Sequence, residues 1–188
     1  MKLWTIQPSP WFEKLLAEGS LSGERKYIDR GFLPGYAWMV ASMERLIGGR
    51  PNPDAFPIWA WYQYMDSSQK RPDLRRRGHL PAGTEGVLIE IEKAENEVLL
   101  SDFELWHFPL SFHSYIADSE EDDEAFEKLI IQDLKAGKNL IEKSWEKVLD
   151  MDYCTPYAAS SREEKRIQAT FWTIKKEEII RVKRFIAR

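Results

Sequence analysis

Two apolar, β-branched runs, 87–91 and 98–100, lie close together in the stretch GVLIEIEKAENEVLLSDFELWHF (86–108), separated by the polar segment 93–97. Apolar runs of this length bounded by turn-forming residues read as buried strands. The second run passes into Ser101, Asp102, Glu104, Trp106 and His107, the densest mixture of ionisable and aromatic side chains in the sequence. Polar groups at the end of a core strand are where a scaffold presents a site, so Asp102 and His107 are candidate ligand contacts.

A chain of 188 residues with 43% hydrophobic content fits one domain, 1–188, with a single substantial core. Its 27 basic and 31 acidic residues leave a net charge of −4. That lacks the basic excess of a non-specific nucleic-acid binder. Cys154 is the only cysteine, so no internal disulfide forms and a reducing compartment is expected. The apolar run near the start is too short for a signal peptide, and no transmembrane-length stretch follows. The expectation is a soluble cytoplasmic protein with no membrane partner.

Along the chain, 3–7 is short, apolar and stops before Pro8, as a first strand does. Ser9-Pro10 predicts a helix opening with the Ser9 hydroxyl as N-cap, and Gly19 predicts its end. Residues 20–35 read as a long loop anchored by Tyr27 and Phe32. Tyr36, Met39, Val40, Met43, Leu46 and Ile47 recur at helical spacing up to Gly48-Gly49. An aromatic strand, FPIWAWYQY (56–64), and a basic loop, KRPDLRRRGH (70–79), come next. The acidic run 118–124 opens a helix, where the macrodipole favours negative charge. Helical phase then continues across Gly137 to Val148 as one long helix or two abutting ones. Residues 150–166 form an irregular connection, 168–174 alternate like a strand, 175–178 turn, and 179–186 end as strand or short helix. The fold class is α+β: a mixed or antiparallel sheet, whole or split, flanked by helices.

Eight tryptophans in so short a chain point first to a large aromatic core. Trp59 and Trp61 alternate on one strand and share a face, which is either a core layer or a stacking platform for a planar ligand. Arg71, Arg75, Arg76 and Arg77 in the basic loop suit phosphate or carboxylate recognition, although a solvated charge run is the commoner reason for such a stretch. No phosphate-cradling glycine loop, HExxH or paired CxxC occurs, so no metal is expected. His107, His113 and Asp102 are too weakly patterned for a metal site, and Glu90 with Glu92 makes either an acid–base pair or a solvated strand edge.

The segments LWTIQ, PIWAWYQ, RPDLR, VLIEIE and VLLSDFELWH resemble the bacterial domain-of-unknown-function 3841 family, over most of the chain. More remotely, the order of elements is similar to the ADP-ribosyltransferase superfamily: a short first strand, a helix ending in Gly19, a second helix, an aromatic strand, and a late strand before the Ile-Lys-Lys-Glu-Glu-Ile turn. That resemblance implies an ADP-ribosyltransferase-like fold with NAD as cofactor. It places a first-strand NAD contact at Thr5 or Gln7, a nicotinamide-packing residue at Trp59, Trp61 or Tyr62, and the late catalytic position at Gln168. The sequence departs from the superfamily in having no first-strand histidine or arginine, and Gln where Glu stands. An amide orients a hydroxyl but cannot act as a general base.

Three readings follow. In the first, an NAD-using enzyme stacks a ring on Trp59 and Trp61, holds ribose with Gln7 or Gln168, and neutralises phosphates with Arg71, Arg75 and Arg76. Asp102 and His107 would then bind an acceptor, a nucleic acid or a protein. In the second, a non-catalytic module binds a nucleotide or single-stranded nucleic acid with the same rings and arginines. In the third, a protein-interaction domain uses its aromatic residues only as core.

Overall fold

The computed structural model describes Met1–Arg188. Strand β1 (Lys2–Pro8) leads into helix α1 (Ser9–Glu18). Pro8 occupies the extended N-cap position and Ser9 is already inside the first turn, so its hydroxyl does not cap the helix as expected. Gly19 ends α1 in the left-handed conformation, φ 80°, with its N–H donating to the Leu15 carbonyl at 2.9 Å.

The loop expected at 20–35 begins instead as strand β2 (Ser20–Glu24). Leu21 is its one buried residue, so no apolar alternation announces it. Gly23 is needed here: a Cβ would stand 2.6 Å from the Phe56 and Pro57 carbonyl oxygens. Tyr27 is 69% exposed and Phe32 39%, so neither anchors the segment. Helix α2 (Leu33–Leu46) follows. The aromatic run divides at Pro57 into β3 (Ala55–Phe56) and β4 (Ile58–Gln63). Next come β5 (Glu85–Glu92), β6 (Leu99–Asp102) and α3 (Phe103–His107). The long helical phase is two helices, α4 (Glu120–Gln132) and α5 (Leu134–Ser144). They break at Asp133, whose carboxylate accepts from the Lys135 and Ala136 N–H groups. Strands β7 (Ile167–Phe171), β8 (Thr173–Lys175) and β9 (Ile179–Ile186) end the chain.

Six strands form an antiparallel sheet in the order β6-β7-β4-β1-β5-β9, and β3-β2-β8 form a second, three-stranded sheet. The α+β class is therefore as expected. The two apolar runs of 86–108 are not neighbours: β5 lies between β1 and β9, while β6 is the opposite edge. The connection crosses the end of β1, where the Lys93 N–H donates to the Met1 carbonyl at 2.9 Å.

One face of the large sheet presents Leu3, Ile58, Val87, Ile89, Ala169 and Phe171 to Phe12 and Leu15 of α1. The opposite face, at its β6–β7 end, meets Met39 and Met43 of α2 and Trp106 of α3. Trp145 and Trp172 join that second core, and their indole N–H groups donate to the Ser114 and Gly48 carbonyls at 2.9 Å. Over β4, Trp59 packs on Trp106 and Tyr36, and Trp61 on Phe103, and the basic loop approaches the same face beside them. No helix is long and apolar enough to cross a membrane.

Candidate functional site

Strand β1 pairs with β5 along its whole length, yet with β4 at a single register pair, Trp4 with Trp61. Extending that register would set Pro8 opposite Pro57, and neither has an N–H to donate. The strands are tied instead by side chains. Thr5 Oγ1 donates to the Trp59 carbonyl at 2.8 Å, and Gln7 Nε2 donates to Thr5 Oγ1 at 2.9 Å. The large sheet is thus notched between β1 and β4.

A cavity of about 340 Å³ opens at this notch. Its floor is one cross-strand row, Gln168–Trp61–Trp4, whose members are register partners and so share a face. Trp59 and Gln7 form the wall at the notch, while Arg77, Gly78 and His79 close over the top. Gly78, at φ 87°, allows the loop to turn back over the sheet. Arg166 lies among rings, its guanidinium 4.1 Å from the Phe103 centroid, 5.3 Å from Trp61 and 5.7 Å from Tyr64. Its Nε donates to the Tyr64 carbonyl at 3.2 Å, and one Nη reaches Glu104 at 3.3 Å. The lining contains two arginines and no carboxylate. Chemically, that suits an anion attached to a flat ring.

A second cavity of about 630 Å³ lies on the other side of Gln7 and Trp59, which line both. Trp11, Tyr27, Tyr36 and Phe56 are among its walls. Burial pushes the Tyr36 hydroxyl above its ordinary pKa. Three buried side-chain atoms lack a hydrogen-bond partner: Trp59 Nε1, Gln168 Oε1 and Ser101 Oγ. All belong to adjoining strands, and Ser101 is the register partner of Gln168. Unsatisfied buried polar atoms are rare in folded proteins; of these three, Trp59 Nε1 is on the strand beside the notch, Gln168 Oε1 one strand away and Ser101 Oγ on the edge strand β6.

Among the residues singled out from sequence, Gln7, Trp59, Trp61 and Gln168 come together. Thr5 is fully buried, with its hydroxyl engaged on the backbone, and lines neither cavity. Tyr62 points to the opposite face, where it packs against the α1 core and Lys70 sits 5.2 Å from its ring. Arg71, Arg75 and Arg76 stay outside the cavity. Arg75 is engaged by Asp73 at 2.8 Å, and that bond, the chief cause, holds the Asp73 carboxyl at about 2. Asp102 lies outside the notch cavity and lines a different one, of about 1010 Å³, with Glu104 and Lys165. Its Oδ1 accepts from the Glu104 and Leu105 N–H groups at the start of α3, and its Oδ2 takes Lys165 at 2.7 Å. His107 turns away, its Nδ1 2.9 Å from the Phe103 carbonyl.

Arg166, Tyr64, Phe103 and His79 were not among the expected contacts. Arg166 had a usable signal, since it stands two residues before Gln168 and so shares its face. The others are placed by loop and helix geometry that leaves no periodic mark. A family model described as a domain of unknown function (DUF3841) matches residues 2–180. Neither a curated protein nor a solved structure matches the chain.

Proposed function

The chain belongs to the DUF3841 family, and we propose that it binds a nucleotide in the notch between β1 and β4. The observation that carries this reading is the lining of the 340 Å³ cavity: two arginines, a floor of indoles, and no carboxylate. The ring of the ligand stacks on Trp61, and its phosphates lie between Arg77 and Arg166. Gln168, with its amide at the cavity floor, offers polar contacts to a base edge or a ribose hydroxyl.

NAD is the first ligand to test, because the second cavity shares Gln7 and Trp59 with the first. A ligand with two rings joined by phosphates would reach both. This sharing also favours a second reading, glycosyl transfer from NAD. In that reading Gln168 orients a ribose hydroxyl, and the acceptor molecule supplies the proton-accepting group that an amide lacks.

Calorimetric titration with NAD, ADP and inorganic pyrophosphate separates these possibilities. Binding of NAD and ADP is expected, weakened about tenfold by Arg77→Ala, as for loss of one charge-assisted contact. Pyrophosphate binding as tightly as ADP would remove the stacking role of Trp61. No binding at millimolar ligand would end the nucleotide reading. Release of nicotinamide from NAD with the ADP-ribosyl group recovered on an acceptor decides for transfer, whereas nicotinamide with free ADP-ribose is hydrolysis.

A further inference from the structure

Strand β9 is the outer edge of the large sheet, pairing with β5 on one side and with nothing on the other. Eight residues long, it spans about 27 Å and presents a row of outward backbone N–H and C=O groups. Native proteins keep such edges short, covered, bulged or charged. This one is long and uncovered, is charged through Arg181, Lys183 and Arg184, and also carries apolar surface: Val182 is 37% exposed and Ile186 60%. Both sit on the α1 side, in register with Ile89 and Glu85, with Arg184 between them opposite Val87 and bonded to Glu13 of α1. The other side of the strand carries Arg181 and Lys183, opposite Glu90 and Leu88.

Charge selects the occupant. Residues 179–188 hold four cations, Arg181, Lys183, Arg184 and Arg188, and no acid. Taking those four from 27 basic residues leaves 23 against 31 acidic ones in the rest of the chain, a net of −8. A second copy pairing antiparallel through β9 would set this cationic run against itself, which like-charge cross-strand pairs oppose. On its paired side β9 takes β5, in which Ile89 faces Val182 and Glu90 faces Arg181, while Leu88 and Val87 face Lys183 and Arg184. One carboxylate on β5 thus answers the cations of β9, and Lys183 has no acidic cross-strand partner there.

We propose that β9 is a docking edge for an extended segment of another protein in which acidic and apolar residues alternate. The segment adds a seventh strand to the sheet. Its apolar side chains continue the Val182–Ile186 face, and its carboxylates meet Arg181 and Lys183. The nucleotide reading plays no part in this inference.

The probe is the blocked peptide (Glu-Val)4, with (Lys-Val)4 as its control, added to the whole chain while amide hydrogen exchange is followed by NMR. The expected result is slowed exchange at alternate β9 amides with (Glu-Val)4 alone, weakening as salt is raised. The double variant Arg181→Gln/Lys183→Glu should lower the affinity about tenfold, as for loss of complementary charge at an interface. An unchanged circular dichroism spectrum would show that the variant still folds. Absence of β9 protection at millimolar peptide overturns the proposal. So does equal protection by both peptides, or a concentration-dependent dimer of the chain itself with β9 protected.

Discussion

Replacing Lys165 by methionine tests how the 150–166 connection is fixed to the sheet. Lys165 Nζ donates to Asp102 Oδ2 at 2.7 Å and to the Tyr153 carbonyl at 2.8 Å. The two side chains are only 1% and 4% exposed. Lys165→Met keeps much of the aliphatic stem but leaves the Asp102 carboxylate buried, with only the Glu104 and Leu105 N–H groups to satisfy it. Breaking one side of a buried pair in this way costs about 3–5 kcal/mol. For a chain of this length the midpoint should fall by roughly 6–20 °C.

Asp102→Asn is the complementary change. It retains an oxygen to cap α3 but leaves the Lys165 ammonium opposite a neutral amide. The double variant removes both charges and keeps the cap, so it should be more stable than Lys165→Met alone, with a coupling of at least ~2 kcal/mol. Urea unfolding followed by tryptophan fluorescence measures all four proteins, provided the slope stays constant. A Lys165→Met loss below about 1 kcal/mol, or a double variant equal to the sum of the singles, would refute a desolvated, mutually dependent pair.

Gly35→Ala should destabilise by about 1–3 kcal/mol, the range for overpacking. The added Cβ would stand 2.6 Å from the Pro109 carbonyl oxygen and 2.7 Å from Leu110 Cα, both backbone atoms that cannot turn aside. A neutral result in urea would show that α2 slides freely over that turn. The Tyr115 hydroxyl gives a pH signature. Burial, then its bond to Asp122, pushes it from the ordinary 10 up to about 12. A raised folded pKa stabilises below the unfolded value and loses that contribution as pH climbs from 10 to about 12. Tyr115→Phe should flatten that part of the stability profile, and an unchanged slope would place the alkaline loss elsewhere.

Local signals in the sequence were enough to place β1, α1 and α2, whereas the strand expected at 168–174 is divided at Trp172 into β7 and β8. They also carried part of the site. Trp59 and Trp61 share a face by strand parity, and Gln168 sits in register with Trp61. The same parity puts Tyr62 on the other side of the sheet, and it puts Thr5 with Leu3 toward the α1 core. Arginine choice failed for a different reason. Four arginines in one loop look alike in sequence, and only the turn at Gly78 decides that Arg77 overhangs the cavity while Arg75 folds onto Asp73.

The notch itself depends on a long-range register. Pro8 and Pro57 are each visible in the sequence as local breaks, but their meaning is joint. Only when Trp4 pairs with Trp61 do the two prolines face each other, so that beyond Ile6 and Trp59 the ladder meets a pair with no N–H on either strand. Closing the gap with a residue that restores one N–H, as in Pro57→Ala, need not heal it, since Pro8 still withholds the other. That juxtaposition is a property of a pair of positions forty-nine residues apart, 57 − 8 = 49. No window of sequence short enough to show helical or strand periodicity contains both.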